Sequence, residues 1–333
     1  MGRLAEFPIL HPALVLVLAA ALDAALGDPW SWPHPVQAMG WLIQRGGKLG
    51  WQWFQPPWMQ RLWGIGLAIV VIGSSGLLTA AILAGATRWH PLLGFALEIV
   101  LLASCWAERS LRDAAQDVLE PLTQGNLAQA RQQLAQYVGR ETTQLTPTEI
   151  RRAILETVSE NTTDGVLAPL FYAGLGSLMG IGAAPLAMAY KAASTLDSMV
   201  GYKRAPYTYV GWFSARLEDG LTWLPCRLTV LTVALLSGRP MHVWQLCWRD
   251  ARADPSPNAG WSECAYAAAL GVQLGGWNQY QGKPTFKPYL GDSHQSITAV
   301  HVRQALALTR RSFYLWLTAA SLLTVGQGML SVR

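Results

Sequence analysis

From Leu62 to Ala86 no side chain carries a charge, and the run exceeds the ~20 apolar residues with which a straight helix crosses hydrocarbon. A segment in that medium must satisfy its own backbone N–H and C=O groups, so this one folds as a helix. Val166 to Tyr190 reaches the same length. Ile9 to Leu26, Leu92 to Trp106, Leu221 to Leu236 and Phe313 to Leu330 are shorter and suit tilted spans, half-inserted helices or buried core. Charged residues make up 14% of the chain and hydrophobic ones 51%, against roughly 25% charged in a soluble domain. Many of the 16 tryptophans stand near the ends of apolar runs, among them Trp30, Trp32, Trp41, Trp51, Trp53, Trp58, Trp63, Trp89 and Trp106, as interfacial belts favour. The expected fold is an all-α polytopic membrane protein with amphipathic and extramembrane helices.

Other classes lose support on the same composition. The first apolar run carries Asp23 at its far end and lacks a small-residue cleavage site before "GDPWSWPHP", so it reads as retained rather than as a signal peptide. Cys105, Cys226, Cys247 and Cys264 form no Cys-x-x-Cys pair and have no His at ligand spacing, which argues against zinc and against a disulfide framework. The net charge of +5 comes from scattered Lys and Arg, so no nucleic-acid partner is expected. No phosphate-binding "G-x-x-x-x-G-K-[ST]" loop occurs.

Between the apolar runs lie polar stretches too long and too charged to be simple connectors. In the stretch before residue 164, "NLAQARQQLAQYVG" reads as an amphipathic helix closing on Gly139. "TPTE" then offers Thr146 as N-cap, Pro147 at the first helical position and Glu149 to complete a capping box. The helix begun there carries Glu156, Glu160 and Asp164 at steps of four, about 40° apart around the axis. Like charges at that spacing repel by a few tenths of a kcal/mol per pair, so something must compensate them. Further on, "GLGSLMGIGAAP" interrupts the apolar segment 166–190, permitting one kinked span or two half-helices returning to the same side, or close helix packing at Gly176 and Gly180. "DPSPNAG" is a turn leading into a small-residue helix.

Five blocks, in order, carry a resemblance: "LDAALGDPWSWPHPV", "ETVSENTTDGVLAPLFY", "YKAASTLDSMVGYK", "ARLEDGLTWLPCRL" and "SPNAGWSECAYAAALGVQLGG". Across nearly its whole length the chain resembles the CobD/CbiB family of membrane-bound adenosylcobinamide-phosphate synthases. Against the family pattern Ser194 stands where Asn is usual, Glu218 replaces the first Asp of a pair, and Thr222 and Cys226 replace Asn and Ala around Pro225. Glu218 makes tight metal geometry doubtful at its own position and leaves Asp219 the safer ligand.

The resemblance implies one membrane-embedded synthase domain over 1–333, with polar active-site blocks 27–61, 107–164, 191–220 and 239–311 facing the cytoplasm from the cell (inner) membrane. It implies ATP-dependent amide formation between adenosylcobyric acid and (R)-1-amino-2-propanol phosphate, or a related amino-alcohol phosphate, through an acyl phosphate. ATP and Mg²⁺ are the implied cofactors. The lipid bilayer is an implied partner, and there is room for a homo-oligomer or for neighbouring cobalamin-pathway enzymes. Glu156, Glu160 and Asp164, with Asp219, become a metal-binding set whose hard oxygens suit Mg²⁺; the alternative is that Arg151 or Arg152 pairs with Glu156. Lys191, Lys203, Arg216 and Arg227 become phosphate-holding cations, as opposed to membrane-surface anchors. Asp197 becomes the base for the incoming amine. Asn258, Asp28 and His34 become substrate-binding candidates, although "GDP" and "PHP" also suit a rigid turn. Two rival readings are a transporter with a midplane site in the broken helix and a metal-dependent membrane alcohol phosphotransferase, whose D-G-x-x-A-R spacing is missing from "DGVLAPL".

Overall fold

The computed structural model describes residues 7–27 and 34–331. In chain order the helices are α1 (Phe7–Leu26), α2 (Pro35–Trp53), α3 (Pro57–Trp89), α4 (Pro91–Ala103), α5 (Glu108–Thr123), α6 (Leu127–Leu134), α7 (Pro147–Asn161), α8 (Ala168–Leu178), α9 (Ala183–Val200), α10 (Tyr207–Val210), α11 (Trp212–Leu236), α12 (Pro240–Asp250), α13 (Ala259–Leu270) and α14 (Ala299–Ser331). A hairpin, β1 (Leu274–Tyr280) and β2 (Lys283–Leu290), precedes α14, and a π-helical turn, Thr162–Leu167, joins α7 to α8. Pro57–Trp89, Pro91–Thr123, Trp212–Leu236 and Ala299–Leu330 are long and apolar enough to cross a membrane. The protein is thus an all-α polytopic membrane protein with one small hairpin among its described residues.

Two compact units divide the chain. The first comprises residues up to Ala107, Ala168–Thr222 and the part of α14 from Leu315. Its α3 is apolar all round: Leu67, Ala68 and Val71 are buried, whereas Leu77 and Leu78 are 73% and 61% exposed. Large apolar side chains left outside on a helix of this length face lipid. The apolar segment 166–190 forms two helices. Tyr172 on α8 stacks on Tyr190 of α9 at 4.8 Å, and a Cβ on Gly176 would meet the Gly182 carbonyl and Leu186. These pairs centre on one turn, so α8 and α9 form an antiparallel hairpin whose close approach needs Gly176. With 11 residues, α8 rises only about 16 Å, too little for a span.

Gly211, between α10 and α11, lies directly under the Val200 carbonyl at the end of α9, where a Cβ would overlap backbone. Backbone cannot swing aside as a side chain does, so Gly211→Ala is expected to cost about 1–3 kcal/mol or more, read as a lowered thermal midpoint in detergent. An unchanged midpoint would mean that α9 and α11 separate without penalty.

The second unit comprises Glu108–Leu167 and Trp223–Tyr314. Leu111, Val118, Leu134, Ile154 and Val158 bury the inner faces of α5, α6 and α7, while Val243, Leu246 and Cys247 bury one face of α12. The Thr146 capping box starts α7 as the sequence predicts. The helix predicted to close on Gly139 ends instead at Leu134. Beyond it the chain tightens into turns, with Thr142 donating to the Arg131 carbonyl at 2.9 Å and Arg131 to that of Leu145 at 2.9 Å. This detour brings Arg140 to α7. A second departure concerns the row of acids: α7 gives way to π-helix at Thr162, so Asp164 leaves the 3.6-residue register that Glu156 and Glu160 share.

Candidate functional site

In the second unit α7 turns Glu156 inward, and only 2% of that residue is exposed. Arg140 donates through Nη2 to Glu156 Oε2, Arg152 through Nη1 to Oε1 at 3.1 Å, and the Gly275 N–H to Oε1 at 3.0 Å. The same arginines grip β1. Asn278 Oδ1 accepts from Arg140 at 2.7 Å and from Arg152 at 3.1 Å, and Arg152 also donates to the Gly275 and Trp277 carbonyls. Burial works against the Glu156 charge, but Arg140, Arg152 and Lys287 together hold its carboxyl below the usual range. The repulsion posed by the acid spacing is met at this position by arginine, and both oxygens of Glu156 are engaged.

One turn on, Glu160 is half-buried and makes no hydrogen bond or ion pair among the described residues. Burial pushes its carboxyl up; Lys287 opposes this, and Asp254 and Glu156 reinforce it. Lys287 reaches in from β2 to Glu263 Oε1 at 2.5 Å and stands 3.9 Å from Asp254 Oδ2. Glu263 is fully buried on α13, and its Oε2 has no hydrogen-bond partner. One ammonium thus serves three carboxyls. Burial lifts Glu263 well above the carboxylate range, and although it opposes the Lys287 charge, Glu263 and Glu160 hold that lysine above its ordinary value. Among the described residues no three His, Cys, Asp or Glu side chains gather closely enough to hold a metal by themselves. Glu160 keeps hard oxygens without a hydrogen bond among the described residues, which suits a single carboxylate contact to a magnesium ion that keeps most of its shell from water and phosphate.

Hydroxyls anchor the π turn. Thr163 bonds Ser262 at 2.9 Å, while Thr162, Tyr266 and Thr309 form a closed triangle at 2.7, 2.8 and 3.1 Å. Burial drives the Tyr266 phenol up to about 12, so it serves as a neutral donor. Asp164 sits half-buried on this turn. Arg227 lies 4.5 Å from the Trp261 ring centroid and 5.2 Å from that of Trp223, and donates to Pro257 O at 2.9 Å and Asn258 Oδ1 at 3.4 Å. The predicted pair Arg227 and Asn258 therefore meets at the start of α13.

The first unit holds the other predicted residues. The cations of Lys203 and Arg216, both exposed, act on half-buried Asp219. Lys191 and Asp197 are half-buried on α9, and a Cβ on Gly201 would strike Asp197 Oδ1, which places that carboxylate at the helix end. Glu218, buried beside Asp219, accepts from the Thr222 hydroxyl, which lies 2.8 Å from Tyr190 OH. His34 caps α2, its Nδ1 accepting from Val36 N–H at 3.2 Å; Asp28 lies outside the described residues.

Sequence reading missed Arg140, Asp254, Glu263 and Lys287. Glu263 gave a signal, as the lone acid among small and apolar residues in "NAGWSECAYAAAL". Lys287 gave none, because its place depends on a hairpin that pairs Trp277 with Phe286 and Gly276 with Lys287.

A family model described as CobD/Cbib protein matches residues 16–309. The chain is 52% identical over 313 residues to the cobalamin biosynthesis protein CobD of Synechocystis sp., covering 93% of this chain and 91% of that protein. It is 42% identical over 299 residues to the cobalamin biosynthesis protein CbiB of Salmonella arizonae, covering 89% and 92%. The corresponding Salmonella typhimurium protein is 41% identical over the same length. No solved structure matches the chain. Because these alignments take in both the Glu156–Lys287 cluster and the Lys203–Arg216–Asp219 group at well over a third identity, the chain belongs to the CobD/CbiB family.

Proposed function

We propose that this protein works in cobalamin biosynthesis as an ATP-dependent acid–amine ligase, joining adenosylcobyric acid to (R)-1-amino-2-propanol phosphate or a related amino-alcohol phosphate. The observation that carries this reading is the near full-length match to cobalamin biosynthesis proteins CobD and CbiB. An ionised carboxylate is a poor electrophile, so the corrinoid carboxylate first takes the γ-phosphoryl group of ATP and releases ADP. The amine then attacks the acyl carbon, phosphate leaves and the amide remains. Asp197 accepts the proton that the ammonium group must lose before attack. Lys203 and Arg216 hold phosphate through charge-assisted hydrogen bonds, with Lys191 of the same unit as a further cation, while Arg227 beside Asn258 is a separate anion-holding candidate of the second unit.

Magnesium, when bound, supplies charge neutralisation on the nucleotide phosphates. Glu160, with Asp164, would hold it more readily than Glu156, whose oxygens face arginine; Asp219, in the first unit, is a separate candidate carboxylate. The polar groups face the cytoplasm, where ATP is, and the spanning helices lie in the cell membrane.

The test is direct. Purified protein given adenosylcobyric acid, aminopropanol phosphate and Mg-ATP should yield a corrinoid whose mass has grown by the amine less water, with one ADP formed per amide. An unchanged corrinoid mass with active lipid and detergent controls would overturn the assignment.

A further inference from the structure

A cavity of about 810 Å³ opens in the second unit, away from every residue assigned above. Its wall takes Arg239 from the turn after α11, His294 and Gln295 from the loop before α14, and His301, Gln304 and Arg311 from α14. Neither Arg239 nor Arg311 makes an ion pair among the described residues, and no Asp or Glu lines the wall. Asp292 stands 3.7 Å from His294 but is committed to Arg249 at 2.8 Å. Two uncompensated guanidinium groups at one concave surface raise the local potential for anions.

The neutral donors are arranged in the same sense. The Thr298 backbone N–H donates to His301 Nδ1 at 3.1 Å. That contact requires a lone pair on Nδ1, so the neutral ring carries its proton on Nε2. His301 is 8% exposed and is therefore a positioned donor, its tautomer set by the backbone. Gln295 spends one N–H on the Leu270 carbonyl at 3.1 Å, which fixes its amide at the wall. The cavity also meets the first turn of α14, a 33-residue helix whose N-terminal dipole favours negative charge. Its volume falls in the range of about 300–1,000 Å³ typical of small-molecule sites, larger than inorganic phosphate alone requires.

We infer that this cavity is a binding site for a phosphate monoester of nucleotide size, held by Arg239 and Arg311 with His301 Nε2–H as a neutral donor. The phosphate can arrive on a soluble nucleotide or on a lipid headgroup, since the recognising chemistry is the same. The inference rests on the cavity wall and not on the ligase reaction.

The experiment uses the full chain in nanodiscs. In zwitterionic discs the soluble probe is AMP, a phosphate monoester that is neither substrate nor product of the proposed reaction, titrated by calorimetry; in discs containing phosphatidic acid the lipid probe is followed by native mass spectrometry. Arg239→Gln and Arg311→Gln should each weaken the bound probe about tenfold or more, and the pair should abolish measurable binding. Ala307→Phe fills the cavity while keeping every charge, and should exclude the probe as well, which keeps the test decisive if a charge variant folds poorly. Loss confined to AMP identifies a nucleotide, and loss confined to phosphatidic acid identifies a headgroup; either supports the site. Failure of both probes to bind, or binding that ignores all three substitutions, overturns it. Asp197→Asn separates this inference from the proposed reaction, for it should lose amide formation and keep the probe.

Discussion

Replacing Lys287 with methionine is expected to destabilise the second unit by about 3–5 kcal/mol, because it leaves Glu263 buried with no cation beside it. Glu263 is fully buried, its Oε1 is 2.5 Å from Lys287 Nζ, and its Oε2 has no hydrogen-bond partner to fall back on. The companion variant Lys287→Met/Glu263→Gln should recover a large part of the loss, since removing both charges together strands neither. The penalty should also depend on pH. Burial holds the Glu263 carboxyl above its ordinary range, so the folded state keeps a proton there that the unfolded chain has released, and stability falls as pH rises through that window. Without Lys287 the ionised form is worse still. The difference between wild type and Lys287→Met should therefore be smaller near about pH 5 than near about pH 8. Thermal midpoints of both variants at the two pH values provide the check, and equal midpoints throughout would mean that water reaches Glu263 and screens it.

What could be read from sequence follows the range of the interaction involved. The Thr146 capping box closes within three residues, and the start of α7 came out as predicted. Apolar runs reflect the bilayer, a uniform solvent, so the runs at 62–86, 221–236 and 313–330 lie within helices, whereas the run at 92–106 is helical only as far as Ala103. Gly139 failed as a helix end because it depended on distant partners: the chain leaves helical geometry early to bring Arg140 to Glu156 and Asn278. Asp164 shifted out of register because a π turn, tied by hydroxyls to Ser262, Tyr266 and Thr309, replaced the α-helix that the four-residue spacing assumed. The arginine alternative for Glu156 was legible only as a neighbour, Arg152; Gly275 and Asn278 come from a hairpin more than a hundred positions away, and no local pattern announces it.

Glu156 and Glu160 differ by one helical turn, yet their amide variants should behave in opposite ways. Glu156→Gln removes the charge shared by Arg140 and Arg152, leaving two guanidinium groups in a nearly dry site with only neutral acceptors, and is expected to cost about 3 kcal/mol of stability. The magnesium requirement of the protein that remains folded should be unchanged, because these oxygens were never open to a cation. Glu160→Gln removes an acid whose electrostatic neighbours include Asp254 and Glu156, so the fold should be as stable or slightly more so. If Glu160 helps to hold magnesium, that variant loses a charged hard ligand, and the concentration of Mg²⁺ giving half-maximal amide formation should rise about tenfold, equivalent to about 1.4 kcal/mol. Thermal midpoints and magnesium titrations of the two proteins separate the roles. Wild-type magnesium dependence in a stable Glu160→Gln protein would remove Glu160 from metal binding and leave Lys287 and Arg140 as its compensation.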